Sequence, residues 1–262
     1  MAILVVLVLA SATTASMLPP HLPRANTTIV FSHGEGGYDC IRIPSIVNAG
    51  SALVAFAECR RHTGDGCNPT AAAAVGTANT SSIDVCTKRS SDGGRSWSPL
   101  AVAVADAGQP TAVYDDHRHH IVLNCNAHGG RSANLNPNLQ AISKDGGVTW
   151  PPPTEIDEQW PKGSAGSAAG PGVGLQLSNT NPHAPGRLLF IGHRGPYVED
   201  FVWFSDDGGA TYTVSNSSLL NMDEPQLVEL PNGTVVANMR NRGHSRGIAH
   251  STDGGQSFGA PW

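Results

Sequence analysis

Charge is scarce in this chain. Asp, Glu, Lys and Arg make up 14% of the 262 residues, the formal net charge is −5 with His neutral, and no Lys/Arg run occurs. A nucleic-acid partner, which needs clustered basic residues, is therefore not expected. Long apolar runs are missing as well. The one strongly apolar stretch, Ala2-Ile3-Leu4-Val5-Val6-Leu7-Val8-Leu9-Ala10, is too short to span a bilayer. With the small residues Ala12, Ala15 and Ser16 behind it, the stretch reads as a secretory signal peptide over residues 1–16, although no Lys or Arg precedes it. The expected destination is the secretory pathway, lysosomal or secreted, with no transmembrane span once the signal is removed. Sequons at Asn26, Asn79, Asn216 and Asn232 suit that route. Cysteine is sparse too. Five residues, Cys40, Cys59, Cys67, Cys86 and Cys125, leave one unpaired if disulfides form. Cys59 and Cys67 flank one short loop and are the most tempting pair, but spacing alone does not fix connectivity.

What the chain has in quantity is Gly (30) and Pro (19). That turn-rich balance predicts one all-β domain. It also has a repeat. Ser90-Ser91-Asp92-Gly93-Gly94-Arg95-Ser96-Trp97 returns at residues 143–150, 205–212 and 251–258, at intervals of 53, 62 and 46 residues. The common form is Ser-x-Asp-Gly-Gly-x-(Ser/Thr)-aromatic. Asp can accept from nearby backbone N–H groups, the glycines supply positive φ, and the aromatic residue anchors the turn. Repeats of about 40–50 residues point to a propeller.

Short apolar runs separated by turn residues fall into four sets. The first comprises residues 41–47, 52–58, 83–89 and 97–104, and the second 111–114, 120–124, 139–143 and 148–156. The third comprises 172–177, 187–192, 201–205 and 211–215, and the last 226–230, 234–239, 247–251 and a strand starting at 257. The repeated unit always falls between the third and fourth runs, which is the layout of four-stranded blades. An earlier strand is expected at residues 28–32. The domain reading is a signal at 1–16, a linker at 17–27 and the propeller over 28–262.

The repeated units resemble the Asp boxes of sialidases and related β-propellers. Other segments carry the likeness further. Arg42-Ile43-Pro44 is similar to the Phe-Arg-Ile-Pro signature, with Ile41 in place of Phe. Ala55-Phe56-Ala57-Glu58-Cys59-Arg60 resembles the family's Ala-Phe-Ala-Glu-x-Arg segment. Gly170-Pro171-Gly172-Val173-Gly174-Leu175-Gln176 resembles a run of lysosomal-type sialidases. The hairpin from Glu224-Pro225-Gln226 through Leu230-Pro231-Asn232-Gly233 to Asn238-Met239-Arg240 looks like the sialidase Glu-x-Gln to Asn-x-Arg hairpin, including its gap of 16 residues. The resemblance covers about residues 28–262 and is closest to animal lysosomal-type exo-sialidases. It implies a six-bladed propeller of which about four blades are present, so the chain reads as the N-terminal part of a longer protein.

The same resemblance implies a chemistry and roles. Sialic acid carries a carboxylate on its anomeric carbon, so arginines bind it and an anionic nucleophile would be repelled. The family therefore uses a Tyr activated by a Glu, where most glycosidases use two carboxylates. Arg42 and Arg240 become members of the carboxylate clamp, and Arg60 reaches substrate. Asp65 becomes the acid/base on a loop, with Asp84 on a strand as its rival. Glu224 activates a Tyr that is expected beyond residue 262, as is the third Arg. Tyr197, in a loop, and Tyr212, a box aromatic, are poor substitutes. The expected activity is retaining release of terminal sialic acid from glycoproteins, gangliosides or oligosaccharides, with the chain by itself inactive. Neither cofactor nor metal is implied.

Plainer readings stand beside these. Arg42 could be a structural Arg, Asp65 a Gly-Asp-Gly turn, and Glu224–Arg240 an ion pair closing a hairpin. His117, His119, His120 and His128, near Cys125, lack zinc-ligand spacing and read as solvent-facing loop histidines. The glycine-rich run lacks the helix that a phosphate loop needs. The alternative from another class is a non-catalytic Asp-box propeller that binds glycans or proteins.

Overall fold

A computed structural model describes residues 27–61, 83–127, 137–156, 167–195, 197–243 and 245–262. The chain is built of four sheets in sequence order, each the body of one blade and antiparallel except where the strand Gly172–Val173, from the third segment, joins the second sheet in parallel. Blade one holds β1 (Cys40–Asn48), β2 (Leu53–Arg60), β3 (Ile83–Ser90) and β4 (Ala101–Val104) in that spatial order. Blade two holds β5 (Ala107–Asp115), β6 (His120–Ala127), β7 (Asn138–Ser143) and β8 (Thr154–Glu155). The third blade is more broken, with β9 (Ser167–Ala169), β10 (Gly172–Val173), β11 (Leu175–Gln176), β12 (Leu188–Arg194), β13 (Glu199–Ser205), β14 (Thr213–Val214) and β15 (Leu219–Leu220). Blade four holds β16 (Asp223–Glu229), β17 (Val235–Arg240) and β18 (Gly247–Ser251).

Alternation along the middle strands explains how the blades stack. Successive side chains leave a strand on opposite faces, so one strand can feed two cores. On β6, Ile121 and Leu123 join Val54, Phe56 and Val85 of blade one. Val122 between them joins Leu188, Phe190 and Trp203 of blade three. On β12, Leu188 and Phe190 face blade two, whereas Leu189 and Ile191 pack with Leu227, Ala237 and Met239 of blade four. Strands sandwiched in this way lose their polar face, which is why β2 and β6 are almost wholly buried.

The Asp boxes turn β3 into β4 and recur in each blade. In the first, the Asp92 carboxylate accepts from the Ser96 N–H (3.0 Å) and hydroxyl (2.6 Å), and Ser90 Oγ accepts from the Gly94 N–H (2.9 Å). Ser143/Asp145/Thr149, Ser205/Asp207/Thr211 and Ser251/Asp253/Ser257 repeat that pattern. Each later box also docks on the blade before it. Arg89 donates to Gly146 O (3.1 Å), Arg187 to Gly254 O (3.1 Å), and His120 Nε2 lies 3.0 Å from Gly208 O. The boxes thus join neighbouring blades, and they lie far from Arg42. Ser90 pairs with Leu53, and Leu53 with Asn48. Asn48 is six residues beyond Arg42 on β1, roughly 20 Å at strand rise.

Several sequence expectations change here. Residues 28–32 form no strand, because no described neighbour pairs with their backbone; Ile29 is 80% exposed. The run 148–156 keeps only β8, and 211–215 only β14. The strand expected from residue 257 is not formed, although Ile248 and Trp262 exchange two backbone hydrogen bonds of 3.0 and 3.1 Å. Cys59 is bonded to Cys86, diagonally across from it on the adjacent strand (its direct partner is Asp84), and not to Cys67. Cys125 is free and buried, and burial pushes its thiol up to about 12. The signal peptide and Asn26, Asp65, Cys67, Asn79 and His128 lie outside the described residues.

Candidate active site

One backbone irregularity recurs at the inner strands of blades one, two and four. Pairing slips between Arg42 and Ser45 on β1, between Gly108 and Thr111 on β5, and between Asp223 and Gln226 on β16. In each slip a residue with positive φ precedes a proline: Ile43 (56°), Gln109 (56°) and Glu224 (38°), with Gly170 (47°) before Pro171 in blade three. Non-glycine residues avoid this region, and bulges that impose it re-aim side chains beside functional sites. The bulge also breaks the alternation expected around Arg42: Ile41, Arg42 and Ile43 are all half-buried.

These bulges sit side by side. β10 runs parallel to β5, with Gly172 opposite Thr111. A Cβ on Gly172 would lie 2.7 Å from Cδ of Gln226, and Gln226 Oε1 accepts from Val173 N–H at 3.3 Å. β1 in turn lies against β5 and β10. The inner strands of all four blades therefore begin in one neighbourhood, which carries Arg42, Gln109, the Gly170–Gly172 turn and Glu224.

Each expected residue has a definite place. Arg42 faces Glu58 across the β1–β2 ladder. Arg60 is buried and lies on the same side of β2 as Glu58, to which its Nε donates at 2.9 Å. The Arg60 Nη2 makes a second, shorter contact with the same carboxylate oxygen. The other Glu58 oxygen accepts from the Gln109 N–H at 2.7 Å. Glu224 and Arg240 meet at 2.7 Å. The register explains that contact: Arg240 pairs with Asp223, and the bulge then turns Glu224 toward it. The Glu224 backbone is held at both ends. Its N–H donates to Asp223 Oδ1 (3.0 Å), and its carbonyl accepts from Arg246 Nη2 (3.3 Å). Arg240 and Arg242 lie 5.3 and 5.1 Å from the centre of the Tyr197 ring. Tyr197, Asn221, Met222, Asn241 and Arg242 line a cavity of about 480 Å³ beside this pair.

Asp84 is built differently from a general acid. It is buried, accepts from the Tyr38 hydroxyl (2.6 Å) and the Asp106 N–H (2.9 Å), and pairs with Arg61 (2.9 Å). Burial by itself would raise its pKa, yet those donors hold it below the usual carboxylate range. An acid that must protonate a leaving group needs the opposite shift. Tyr38 moves the wrong way for a nucleophile, pushed up to about 12 by burial and by Asp84.

Glu58, Gln109 and Arg246 carry much of this arrangement without having been singled out, and Tyr197, set aside above as a nucleophile, contributes its ring. Glu58 had a signal, since residues two apart on a strand share a face with Arg60. Gln109 had one too, in the residue-plus-Pro pair that recurs at Ile43 and Glu224. Tyr197 and Arg246 come from loops and had none. His120 is buried against blade three, which corrects its reading as a solvent-facing loop residue; the first position of β6 points inward. Donor atoms of Asp115, Asp116 and His117 approach within 4.8 Å of one another. Asp115, however, already accepts from Arg118 (3.0 Å) and the His117 N–H (2.9 Å), so no ion is needed to satisfy it.

Comparison with known proteins bears on the family and the fold. A family model described as a BNR repeat-like domain matches residues 70–262. A sialidase of Micromonospora viridifaciens is 33% identical over 201 residues, covering 66% of this chain and 30% of that protein. One of Bacteroides fragilis is 28% identical over 204 residues, 67% of this chain and 37% of that protein. The chain thus spans about a third of the length of the curated relatives it matches. Both are bacterial, so the finer likeness to the animal lysosomal type rests on the sequence motifs. Among solved structures, the intramolecular trans-sialidase of Ruminococcus gnavus has a TM-score of 0.75 at 16% identity, covering 89% of this chain and 73% of that one. A leech intramolecular trans-sialidase has a TM-score of 0.74 at 17% identity, covering 90% and 52%. The chain belongs to the family of BNR repeat-like domains, and its four blades have the fold of the sialidase propellers.

Proposed function

We propose that the protein to which this chain belongs is an exo-sialidase that releases terminal sialic acid from sialylated glycans. The observation that carries the reading is the Glu224–Arg240 contact, placed by a bulge in the neighbourhood of the Arg42 bulge. A hairpin needs no such strained residue to close. A site that must present a carboxylate and a guanidinium to one ligand does. In this reading Arg42 and Arg240 grip the substrate carboxylate, with Arg60 beside them held in place by Glu58. Guanidinium suits that task because its donors form a fixed planar fork and its charge never titrates away.

Asp65 protonates the leaving oxygen and then activates water, so the configuration is retained. Glu224 activates a Tyr nucleophile from outside this chain, and the chain by itself is inactive. The protein enters the secretory pathway and works in a lysosome or outside the cell. The Cys59–Cys86 disulfide supports that compartment, since such bonds persist where the redox poise is oxidising.

The test is hydrolysis of a fluorogenic sialoside by the 262-residue chain, by the longer protein and by an Asp65→Ala form of the longer protein. Turnover by the longer protein that collapses in the variant is expected. No turnover, together with retained glycan binding, would favour the non-catalytic propeller. A fully active Asp65→Ala protein would move the acid elsewhere.

A further inference from the structure

One buried acidic residue, on a strand packed against β16, is not used by the proposed chemistry. Asp200, on β13, is 0% exposed, and neither of its carboxylate oxygens has a hydrogen-bond partner. It stands opposite His193 in the β12–β13 ladder and opposite Leu219 of β15. His193 reaches the Gly170 carbonyl with Nδ1 (3.1 Å), and its Nε2 lies 3.7 Å from Asp223 Oδ1. That Asp223 oxygen is the acceptor of the Glu224 N–H. A buried carboxyl, a histidine and a second buried carboxylate therefore lead in sequence to Glu224, one of the residues whose backbone is held at positive φ at the site.

We propose that Asp200 is a positioning residue for Glu224: held as the neutral acid behind Asp223, it leaves that carboxylate free to cap the Glu224 amide and keep the bulge that aims Glu224 at Arg240. The inference rests on the reading of Glu224 given above. The physical reason is that two ionised carboxylates cannot share a dry space without one of them turning away or taking a proton. Asp223 accepts from the Glu224 N–H and lies 3.7 Å from His193 Nε2. Asp200 accepts no hydrogen bond with either oxygen, so it breaks none by being neutral.

Burial is the main cause that pushes Asp200 up to about 8, and Asp223 and Glu199 push in the same direction. The charged groups around it come from every packed element: Asp223 from β16, Glu199 on its own strand, His193 and Arg194 from β12, and Arg246 from the segment between β17 and β18. Glu199 is already neutralised by Arg194 (2.6 Å), and Arg246, which works against the shift, is engaged with Asn238 and the Glu224 carbonyl. Ionisation of Asp200 would leave Asp223 beside a like charge, and its bond to the Glu224 amide is the contact that yields.

The experiment follows the Glu224 backbone amide by nuclear magnetic resonance in the 262-residue chain between pH 6 and 9, for the wild type and for Asp200→Asn. The expected result is a Glu224 resonance that moves with a midpoint near 8 in the wild type and stays fixed in Asp200→Asn. A wild-type resonance that stays fixed overturns the proposal, as does an Asp200→Asn resonance that still moves. So does an Asp200→Asn chain unfolded at pH 6, because the amide is the isostere of the neutral acid. In the longer protein, kcat for sialoside hydrolysis should drop about tenfold from pH 7 to 9 with KM little moved, and Asp200→Asn should remove that limb. A longer protein inactive at every pH would defeat the sialidase reading, while the amide titration still decides the role of Asp200.

Discussion

The carboxylate of Glu58 is held from two blades at once, by the Arg60 guanidinium on its own strand and by the Gln109 N–H of β5 at 2.7 Å. It is 1% exposed. One residue therefore fixes the direction of the buried Arg60 and ties blade one to the bulge of blade two.

Removing that charge should cost more than removing the pair. Glu58→Gln removes the carboxylate charge that accepts from both the buried Arg60 and the Gln109 N–H, and a loss of about 3–5 kcal/mol is expected. Replacing both residues by apolar ones of similar size should recover much of it. Urea unfolding of the three proteins decides the point; a Glu58→Gln chain within about 1 kcal/mol of the wild type would mean that the pair is not coupled.

A glycine of an Asp box should matter most where it faces the preceding blade. Gly147 has φ 85°, and a Cβ there would meet Val54 Cγ2 at 2.8 Å, whereas Gly93 has φ 74° and nothing within 4 Å. Gly93→Ala should therefore show only the left-handed backbone penalty of about 1–2 kcal/mol. Gly147→Ala adds overpacking of roughly 1–3 kcal/mol. Thermal melts that rank the two variants equally would count against blade-to-blade docking by the boxes.

Asp84 supplies a pH dependence of definite sign. Its folded pKa is lowered, so the stability it contributes is fully present above its ordinary value of 3.8 and is lost as pH falls through the folded value. The gap between wild type and Asp84→Asn should be flat from pH 8 to 5, at about 2 kcal/mol for hydrogen bonds to a charged group, and should close below pH 4. A gap that widens on acidification would reverse the assignment.

Arg240 makes a prediction about recognition. Arg240→Ala in the longer protein should lower kcat/KM for a sialoside by 10- to 100-fold, equivalent to about 1.5–3 kcal/mol of charge-assisted bonding. Arg240→Lys should fall between, since it keeps the charge and loses the fork. Equal kcat/KM for wild type and Arg240→Ala would remove Arg240 from the site.

The sequence by itself determined the blade plan, because its signals are local. A Ser-x-Asp-Gly-Gly turn satisfies its own backbone, so four copies of it mark four hairpins wherever the chain goes. The hairpin with Glu224 at one end and Arg240 at the other was legible for the same reason: antiparallel pairing converts a spacing in sequence into a distance in space. What only the tertiary structure decided are the relationships between blades. The bond from Gln109 to Glu58, the Tyr197 ring beside Arg240, the buried placement of His120 and the choice of Cys86 by Cys59 all join residues whose separation in sequence carries no periodicity. Residues 28–32 belong with these, since a strand exists only where a partner offers hydrogen bonds, and no propensity of five residues supplies one. The left-handed residues before Pro44, Pro110 and Pro225 fall on the same side. Sequence shows the prolines, but the bulge they mark is imposed by neighbouring strands that hold each chain in register on either side of it.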